Sequence, residues 1–191
     1  QLLKYTPVSA TSGTANITIT FNSASASSLT VNKGTAFTSS VDDVSYQFII
    51  RDAVTVTPVD GVYTLTTDIR EGTLVTNKYT VDTTDANQRF LIENDMVDTA
   101  TLAVTVQNSS SDSTTNTYTL ASDLGAVTNT SKIYYLEQVE QGKYEVVFGD
   151  GVLGAALSNG NIVTLEYIVS TGVASNGATT FTASSTVGGE S

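Results

Sequence analysis

Apolar residues alternate with polar ones along most of this chain. Val44, Tyr46, Phe48 and Ile50 occupy every second position of one segment, and the same alternation recurs in 16–21, 102–106, 144–148 and 163–169. Successive side chains of a strand point to opposite faces of a sheet, so a period of two predicts half-buried strands. No segment keeps the apolar stripe of a long helix. The sequence therefore predicts an all-β fold of antiparallel, sandwich-like units with long polar loops and little or no helix.

Turn signals separate these segments. Further strands are predicted near 29–32, 53–57, 62–66, 73–81, 88–92, 117–120 and 132–136. Between the strands stand short sequences in which glycine, asparagine or aspartate accepts the backbone angles of a tight turn. These turns are Asn32-Lys33-Gly34, Asp60-Gly61, Glu71-Gly72, Gln141-Gly142, Asp150-Gly151, Asn159-Gly160 and Asn176-Gly177.

The domain organisation is predicted from changes in composition. A break near residues 82–87 favours an N-terminal β unit, 1–84, and a C-terminal β unit, 85–191; a single elongated β domain is the alternative. The run 108–116 consists almost wholly of serine, threonine and asparagine, which predicts an exposed loop. Residues 121–131 form a second polar connection.

Composition excludes several classes of function. The 191 residues include no cysteine and no histidine, which removes thiol nucleophiles, Ser-His-Asp triads and the usual zinc sites. A net charge of −11 with only eight scattered cations disfavours nucleic acid and anionic membranes as partners. No apolar run is long enough to span a bilayer. We expect no cofactor, no nucleic-acid partner and no membrane partner.

Carboxylates are the remaining source of chemistry. Calcium ligands could come from Asp42 with Asp43, or from Asp150 with Glu145, but neither pair has the spacing of an EF-hand loop. A solvated turn is the favoured interpretation of both pairs, and no metal site is predicted.

Two pairs of glutamates could serve as the acid and base of a glycosidase. They are Glu137 with Glu140, and Glu145 with Glu166 on strands predicted to face each other. Acids on the wet face of a sheet are far commoner than catalytic pairs. The prediction is therefore that the chain is not an enzyme.

The most informative segment is 143–170, which reads KYEVVFGDGVLGAALSNGNIVTLEYIVS. A strand that ends at Phe148 continues into Gly149-Asp150-Gly151 and Gly154, and Asn159-Gly160 then precedes a second strand. Clustered glycines indicate a backbone that bends sharply or approaches another chain closely. The carboxylate of Asp150 is expected to accept hydrogen bonds from nearby backbone amides. No Lys or Arg follows to hold a phosphate, so the segment predicts a structural hairpin within the C-terminal unit.

This segment resembles a known family. The string FGDGVLGAALSNGNIVTLEYIVSTG, followed by Asn176-Gly177, is similar to baseplate wedge proteins of contractile-tailed bacteriophages of the T-even type, in the wider baseplate J-like family. Upstream, LTVNKGTAF in 29–37 and the later Tyr46-Gln47-Phe48 resemble the family's strand, Gly-Thr-x-Phe, strand unit. The stretch 88–106 resembles the middle region of the wedge protein. The matches run in family order from about 29 to 177.

The resemblance implies a structural part of a virion, made in the bacterial host cytoplasm. Wedge proteins of this family surround the central hub of the tail baseplate and join neighbouring wedges into a ring. The expected partners are other wedge subunits and copies of the same protein, as a homo-oligomer in the full assembly, of which this chain would be a central or C-terminal fragment. The expected contact residues are Phe148, Gly149, Asp150, Gly151, Gly154, Asn159, Gly160, Gly34, Thr35 and Phe37, with the loop 108–116 nearby.

An alternative function comes from a different class of protein. Immunoglobulin-like modules of bacterial surface adhesins or fibres are also acidic, rich in threonine and free of cysteine. Stabilisation by calcium would favour that class. A third alternative is a β-fold enzyme that acts on glycans. This alternative predicts loss of turnover when one carboxylate is replaced.

Overall fold

The computed structural model describes residues 9–21, 27–122 and 124–188. Their regular structure is almost entirely β, which confirms the predicted class, and the only helical elements among them are three short 3₁₀ turns at Leu124–Ala126, Glu140–Gly142 and Gly172–Ser175. The strands are β1 (Thr14–Phe21), β2 (Leu29–Val31), β3 (Ala36–Val41), β4 (Val44–Ile50), β5 (Val54–Val56), β6 (Tyr63–Glu71), β7 (Thr73–Thr80), β8 (Phe90–Ile92), β9 (Val97–Gln107), β10 (Thr115–Leu120), β11 (Ile133–Gln138), β12 (Tyr144–Phe148), β13 (Ile162–Val169) and β14 (Thr182–Ala183). Within these residues no helix has the length and apolar character needed to cross a membrane.

The chain divides into two compact units, but not at the predicted position. Unit 1 comprises Gln1–Ala10 and Val75–Tyr167, and unit 2 comprises Thr11–Leu74 and Ile168–Ser191. The polar break at 82–87 lies inside unit 1, where it forms the turn from β7 to β8. The Gln88 side chain fixes this turn, since its Nε2 donates to Thr80 O at 2.7 Å and its Oε1 accepts from Asp82 N at 2.9 Å. The break in composition therefore marks a turn.

Seven strands form a sheet in the order β7-β13-β9-β10-β11-β12-β8, mainly in unit 1. The first and last strands of this order are joined by a side chain: the Tyr79 hydroxyl on β7 donates a hydrogen bond to Leu91 O on β8 at 2.6 Å. The sheet is therefore curved, and this hydrogen bond links its two edges. The pairing of β10 with β11 is parallel, whereas β9–β10, β11–β12 and β12–β8 are antiparallel as predicted.

Four aromatic side chains pack in a row in unit 1. The rings of Tyr79, Phe90, Phe148 and Tyr118 follow one another with centroid separations of 5.6, 5.3 and 5.4 Å and nearly perpendicular planes. This is the edge-to-face geometry that aromatic quadrupoles favour. Tyr134, Tyr144 and Tyr167 are buried as well.

Unit 2 contains a five-stranded antiparallel sheet in the order β1-β6-β4-β3-β14 and a separate pair of strands, β2 with β5. The pairing of β1 with β6 runs from Thr14↔Arg70 to Phe21↔Tyr63. The alternation predicted from the sequence holds, since Asn16, Thr18 and Thr20 are exposed. The core of this unit consists of Phe21, Leu29, Val31, Phe37, Phe48, Ile50, Tyr63, Leu65, Ile69 and Val187.

The aspartate pair considered for calcium forms the tip of the β3–β4 hairpin. Asp42 and Asp43 have φ values of 50° and 62° and connect the paired residues Val41 and Val44. Left-handed angles at both central residues match the right-handed twist of the flanking strands. No group of three or more potential metal ligands occurs in the part of the chain that the structure describes. The backbone geometry of this pair favours the turn interpretation.

A buried carboxylate ends strand β6 in unit 2. Glu71 is only 2% exposed and continues the buried row formed by Tyr63, Leu65 and Ile69. Its oxygens accept hydrogen bonds from Ser170 Oγ at 2.6 Å, Thr171 Oγ1 at 2.9 Å and Thr171 N at 3.1 Å. A buried charge is tolerated only when hydrogen bonds satisfy it. Glu71 therefore holds the segment after β13 to the end of β6.

Candidate functional site

The glycine loop, defined as residues 149–156, follows β12 in unit 1. The sequence predicts it as part of a hairpin between β12 and β13, and this prediction is wrong. Strand β12 lies between β11 and β8, whereas β13 lies between β7 and β9. Residues 149–161 therefore connect two strands that are not neighbours, because a period of two determines the faces of a strand but not its partners.

The close approach that glycine permits here occurs within the loop itself. Gly149 pairs with Ala156 in an isolated bridge, and a Cβ on Gly149 would lie 2.3 Å from the carbonyl carbon of Gly154. Gly154 has a φ of 90°, and a Cβ there would lie 2.9 Å from Ile133 Cγ1. Only glycine fits both positions. The prediction of a sharp bend is confirmed, and contact with another chain is not needed to explain these two glycines.

Asp150 fixes the tip of the loop. Its Oδ1 accepts hydrogen bonds from Val152 N and Leu153 N, each at 2.9 Å, and Gly151 N donates to Gly154 O at 3.0 Å. The predicted carboxylate-capped turn is therefore present. The Leu153 and Val152 amides stabilise the ionised form and lower the pKa of Asp150 below its usual value.

Further backbone bonds fasten the loop to unit 1. Gly154 N donates to Thr128 O at 3.1 Å, and Ala155 N donates to Ser131 O at 2.8 Å. On the other side, the ring of Phe148 packs against Phe90 and Tyr118. The loop is thus held at its start, at its tip and at its end.

This fixed loop presents two adjacent aliphatic side chains to solvent. Val152 is 71% exposed and Leu153 is 50% exposed. Single exposed apolar residues are ordinary on protein surfaces. Two neighbours on a preorganised turn form a small apolar knob, and neither residue is among the contact residues predicted from the sequence. The alternation stops in VLGAAL, and that loss of pattern is the signal that could have identified them.

The other predicted contact residues lie elsewhere. Asn159 and Gly160 form a turn against residues 81–83, where Asn159 Oδ1 accepts from Thr83 N at 3.1 Å and Gly160 N donates to Val81 O at 2.8 Å. These bonds explain the Asn-Gly step by local structure within unit 1.

The upstream residues Gly34, Thr35 and Phe37 belong to unit 2, separately from the glycine loop. Gly34 has a φ of 81° and donates its N–H to Ile50 O at 2.8 Å. Thr35 Oγ1 donates to Asn32 O at 2.7 Å. Phe37 is 4% exposed and packs in the core. The three residues form a turn and its hydrophobic anchor.

The polar loop 108–116 is shorter than predicted, because β10 already begins at Thr115. Asp112 organises the loop by accepting from Asn108 Nδ2 at 2.7 Å and from Thr114 N at 2.9 Å. The Asn108 side chain makes the largest contribution to lowering the pKa of Asp112. The loop is exposed, as the sequence predicts, and its polar groups are largely occupied with one another.

The glutamates considered for catalysis are not arranged as predicted. Glu166 lies on β13, which does not neighbour β12, so it does not face Glu145 on a paired strand. Glu145 instead lies opposite Glu137 in the β11–β12 register, and its carboxylate accepts hydrogen bonds from both Nε and Nη2 of Arg89. The guanidinium offsets the repulsion between the two carboxylates.

Lowering the pH is expected to loosen the tip of the glycine loop. The pKa of Asp150 is depressed in the folded chain, so the carboxylate's contribution is complete above the ordinary aspartate value of about 3.9 and is lost as the pH falls through the folded value. The amide proton shifts of Val152 and Leu153, followed by NMR from about pH 5 to about pH 2, report this titration. The variant Asp150→Asn is the control, because its oxygen accepts without titrating. A midpoint at or above the ordinary value would contradict the hydrogen-bonding scheme.

Comparison with known proteins adds no assignment to this geometry. No protein-family model matches the chain, and no curated protein matches its sequence.

Proposed function

We propose that this chain is a structural component of a phage tail baseplate wedge, in which the glycine loop contacts a neighbouring subunit of the ring around the hub. The observation that carries the proposal is the preorganised exposure of Val152 and Leu153. The resemblance of the surrounding segment to wedge proteins supplies the biological setting. The partners proposed are other wedge subunits and copies of the same chain, and the location is the virion.

Preorganisation is the physical reason for this choice of surface. Association loses free energy when loops and side chains must become ordered, so a loop that is already fixed contributes more of its contact energy to binding. The centres of protein interfaces are apolar and depleted in charge, whereas their rims are polar. Val152 and Leu153 would form the apolar centre of the interface, and the surrounding surface, which is rich in serine and threonine, would form its polar rim.

We further propose that the chain acts without catalysis. A groove in unit 1, with a volume of about 560 Å³, is lined by Arg89, Leu91, Gln138, Val139, Glu140, Gln141 and Lys143. Glu140 is its only carboxylate, which does not provide the two acids that glycoside hydrolysis uses. Loss of a hydrolytic activity on replacing Glu140 would contradict this part of the proposal.

Replacing both knob residues by serine is expected to block assembly without unfolding the chain. In a phage that lacks this protein, complementation with the Val152→Ser, Leu153→Ser double variant should reduce infectious particles at least about tenfold, since loss of buried aliphatic anchors removes several kcal/mol from an interface. Circular dichroism of the purified variant should be unchanged, because both side chains are exposed.

Val173→Ser is the matched control, because Val173 is 79% exposed and lies outside the glycine loop. This variant should complement normally. Normal assembly of the double variant would overturn the proposal. A rise in melting temperature on adding calcium would instead favour the adhesin class.

A further inference from the structure

Four steps in the chain have the sequence required for self-modification through a cyclic imide: Asp60-Gly61, Asp150-Gly151, Asn159-Gly160 and Asn176-Gly177. The backbone nitrogen of the glycine is the nucleophile, and the side-chain carbonyl carbon of the preceding residue is the electrophile. Glycine offers no Cβ to hinder ring closure. An ionised carboxylate resists this attack, so the two asparagine steps are the reactive candidates at neutral pH.

The structure protects the first asparagine step. Asn159 Oδ1 is held by Thr83 N at 3.1 Å, and the nucleophile, Gly160 N, donates to Val81 O at 2.8 Å. Attack requires both hydrogen bonds to break. Rotation of Asn159 Cγ towards Gly160 N breaks the bond to Thr83, and exposure of Gly160 N as the nucleophile breaks the bond to Val81. The electrophile and the nucleophile are therefore both restrained by the fold.

The second asparagine step carries no such restraint. Asn176, with φ −63° and ψ 133°, and Gly177, with φ 102°, occupy the central positions of a type II turn that Ala178 N closes by a long hydrogen bond to Ser175 O, at 3.3 Å. Both residues are exposed. Within the described residues, neither the Asn176 side chain nor the Gly177 N–H has a hydrogen-bond partner. Rotation of Asn176 into the reactive conformation costs only this weak turn bond.

We propose that Asn176 is a site of spontaneous deamidation and isomerisation, which takes water as its only co-reactant. Gly177 N loses its proton to solvent base and forms a bond to Asn176 Cγ, and the side-chain nitrogen leaves as ammonia after accepting a proton from water. Water then adds to one imide carbonyl. Cleavage of the N–Cγ bond gives aspartate, and cleavage of the bond to the backbone carbonyl carbon gives isoaspartate. No oxidation or reduction takes place.

The reaction has a structural consequence for unit 2. Asn176 follows Ser175, which is 2% exposed, and its Oδ1 lies 3.9 Å from the position of a Cβ on Gly13. Deamidation introduces a negative charge here, and isoaspartate adds a methylene to the backbone between Ser175 and Ala178. We therefore expect the buried Ser175 to shift relative to Gly13.

The test follows both asparagines in one sample. The folded chain is incubated at mildly alkaline pH and digested after glutamate, which separates Asn159 in peptide 146–166 from Asn176 in peptide 167–190. Mass spectrometry should show conversion of Asn176 at least about tenfold faster than conversion of Asn159, since the latter must lose two hydrogen bonds. In the chain unfolded by urea, both Asn-Gly steps should react at similar rates.

Two variants complete the test. Asn176→Gln, which cannot close the five-membered ring readily, should abolish the conversion in peptide 167–190. Thr83→Pro, which removes the N–H that holds Asn159, should accelerate the reaction of Asn159 in the folded chain. Equal rates at the two sites in the folded chain, or faster reaction at Asn159, would overturn the proposal.

Discussion

Replacing Glu71 by alanine is expected to destabilise unit 2 by about 3 kcal/mol, because the buried donor Ser170 Oγ and the partly buried donor Thr171 N lose their acceptor. Glu71 is 2% exposed, so solvent recovers little of this loss. Urea unfolding followed by circular dichroism, together with hydrogen exchange of amides in β4 and β6, measures the change in the free energy of unfolding.

Glu145→Ala is the matched control for Glu71. Its carboxylate pairs with Arg89, and the Arg89 and Glu145 side chains are 49% and 16% exposed, so we expect this partly exposed ion pair to contribute about 1 kcal/mol or less. Glu71→Gln provides a variant that keeps one acceptor oxygen while it places a donor amide against other donors, and it should also destabilise unit 2 more than Glu145→Ala. Equal stability of the Glu71 and Glu145 variants would contradict the role assigned to Glu71.

Replacing Gly149 by alanine is expected to destabilise unit 1 by about 2–3 kcal/mol, the usual effect of forcing an atom into packed structure. The added Cβ would lie 2.3 Å from the backbone of Gly154, which cannot yield as a flexible side chain would. Strain there would also disturb the bonds to Thr128 and Ser131 that fasten the loop. The free energy of unfolding and the exchange rates of the Gly154 and Ala155 amides measure the effect.

Gly151→Ala is the control within the same loop. Gly151 has a φ of 86°, but a Cβ there meets nothing closer than the Ala156 Cβ at 3.7 Å. Its cost is therefore only the left-handed backbone penalty of about 1–2 kcal/mol. A Gly149 variant that is as stable as the natural chain would show that the backbone of Gly154 does not approach Gly149 as closely as described.

The alternation of residues predicted the faces of the strands well. Asn16, Thr18 and Thr20 are exposed and Phe21 is buried, because a half-buried sheet imposes this pattern on any strand within it. The carboxylate turn at Asp150 was also predictable, since the interaction is local. Features determined by neighbouring residues in the chain could thus be read from the sequence.

Features that depend on distant residues could not be predicted in this way. The position of β13 between β7 and β9, and the parallel pairing of β10 with β11, follow from long-range pairing that periodicity does not encode. Residues 168–191 belong to unit 2 together with residues 11–74, so the two units do not divide at 84/85 as the sequence predicted.

The burial of Glu71 could have been predicted from the alternation of residues along β6. Glu71 occupies the same face of β6 as Tyr63, Leu65 and Ile69, so the period of two, extended to the end of the strand, predicts its burial. The sequence prediction instead assigns Glu71-Gly72 to a turn. An acidic residue in a buried row requires donors from elsewhere in the chain. Their identity, Ser170 and Thr171, became visible only in the folded structure.

The central claim is that the glycine loop serves assembly, and imaging of an assembled tail tests it most directly. An electron cryo-microscopy map that resolves side chains should place this chain in the baseplate wedge, with Val152 and Leu153 buried against a neighbouring subunit. A tail without the chain, or a knob that faces solvent in every copy, would contradict the claim.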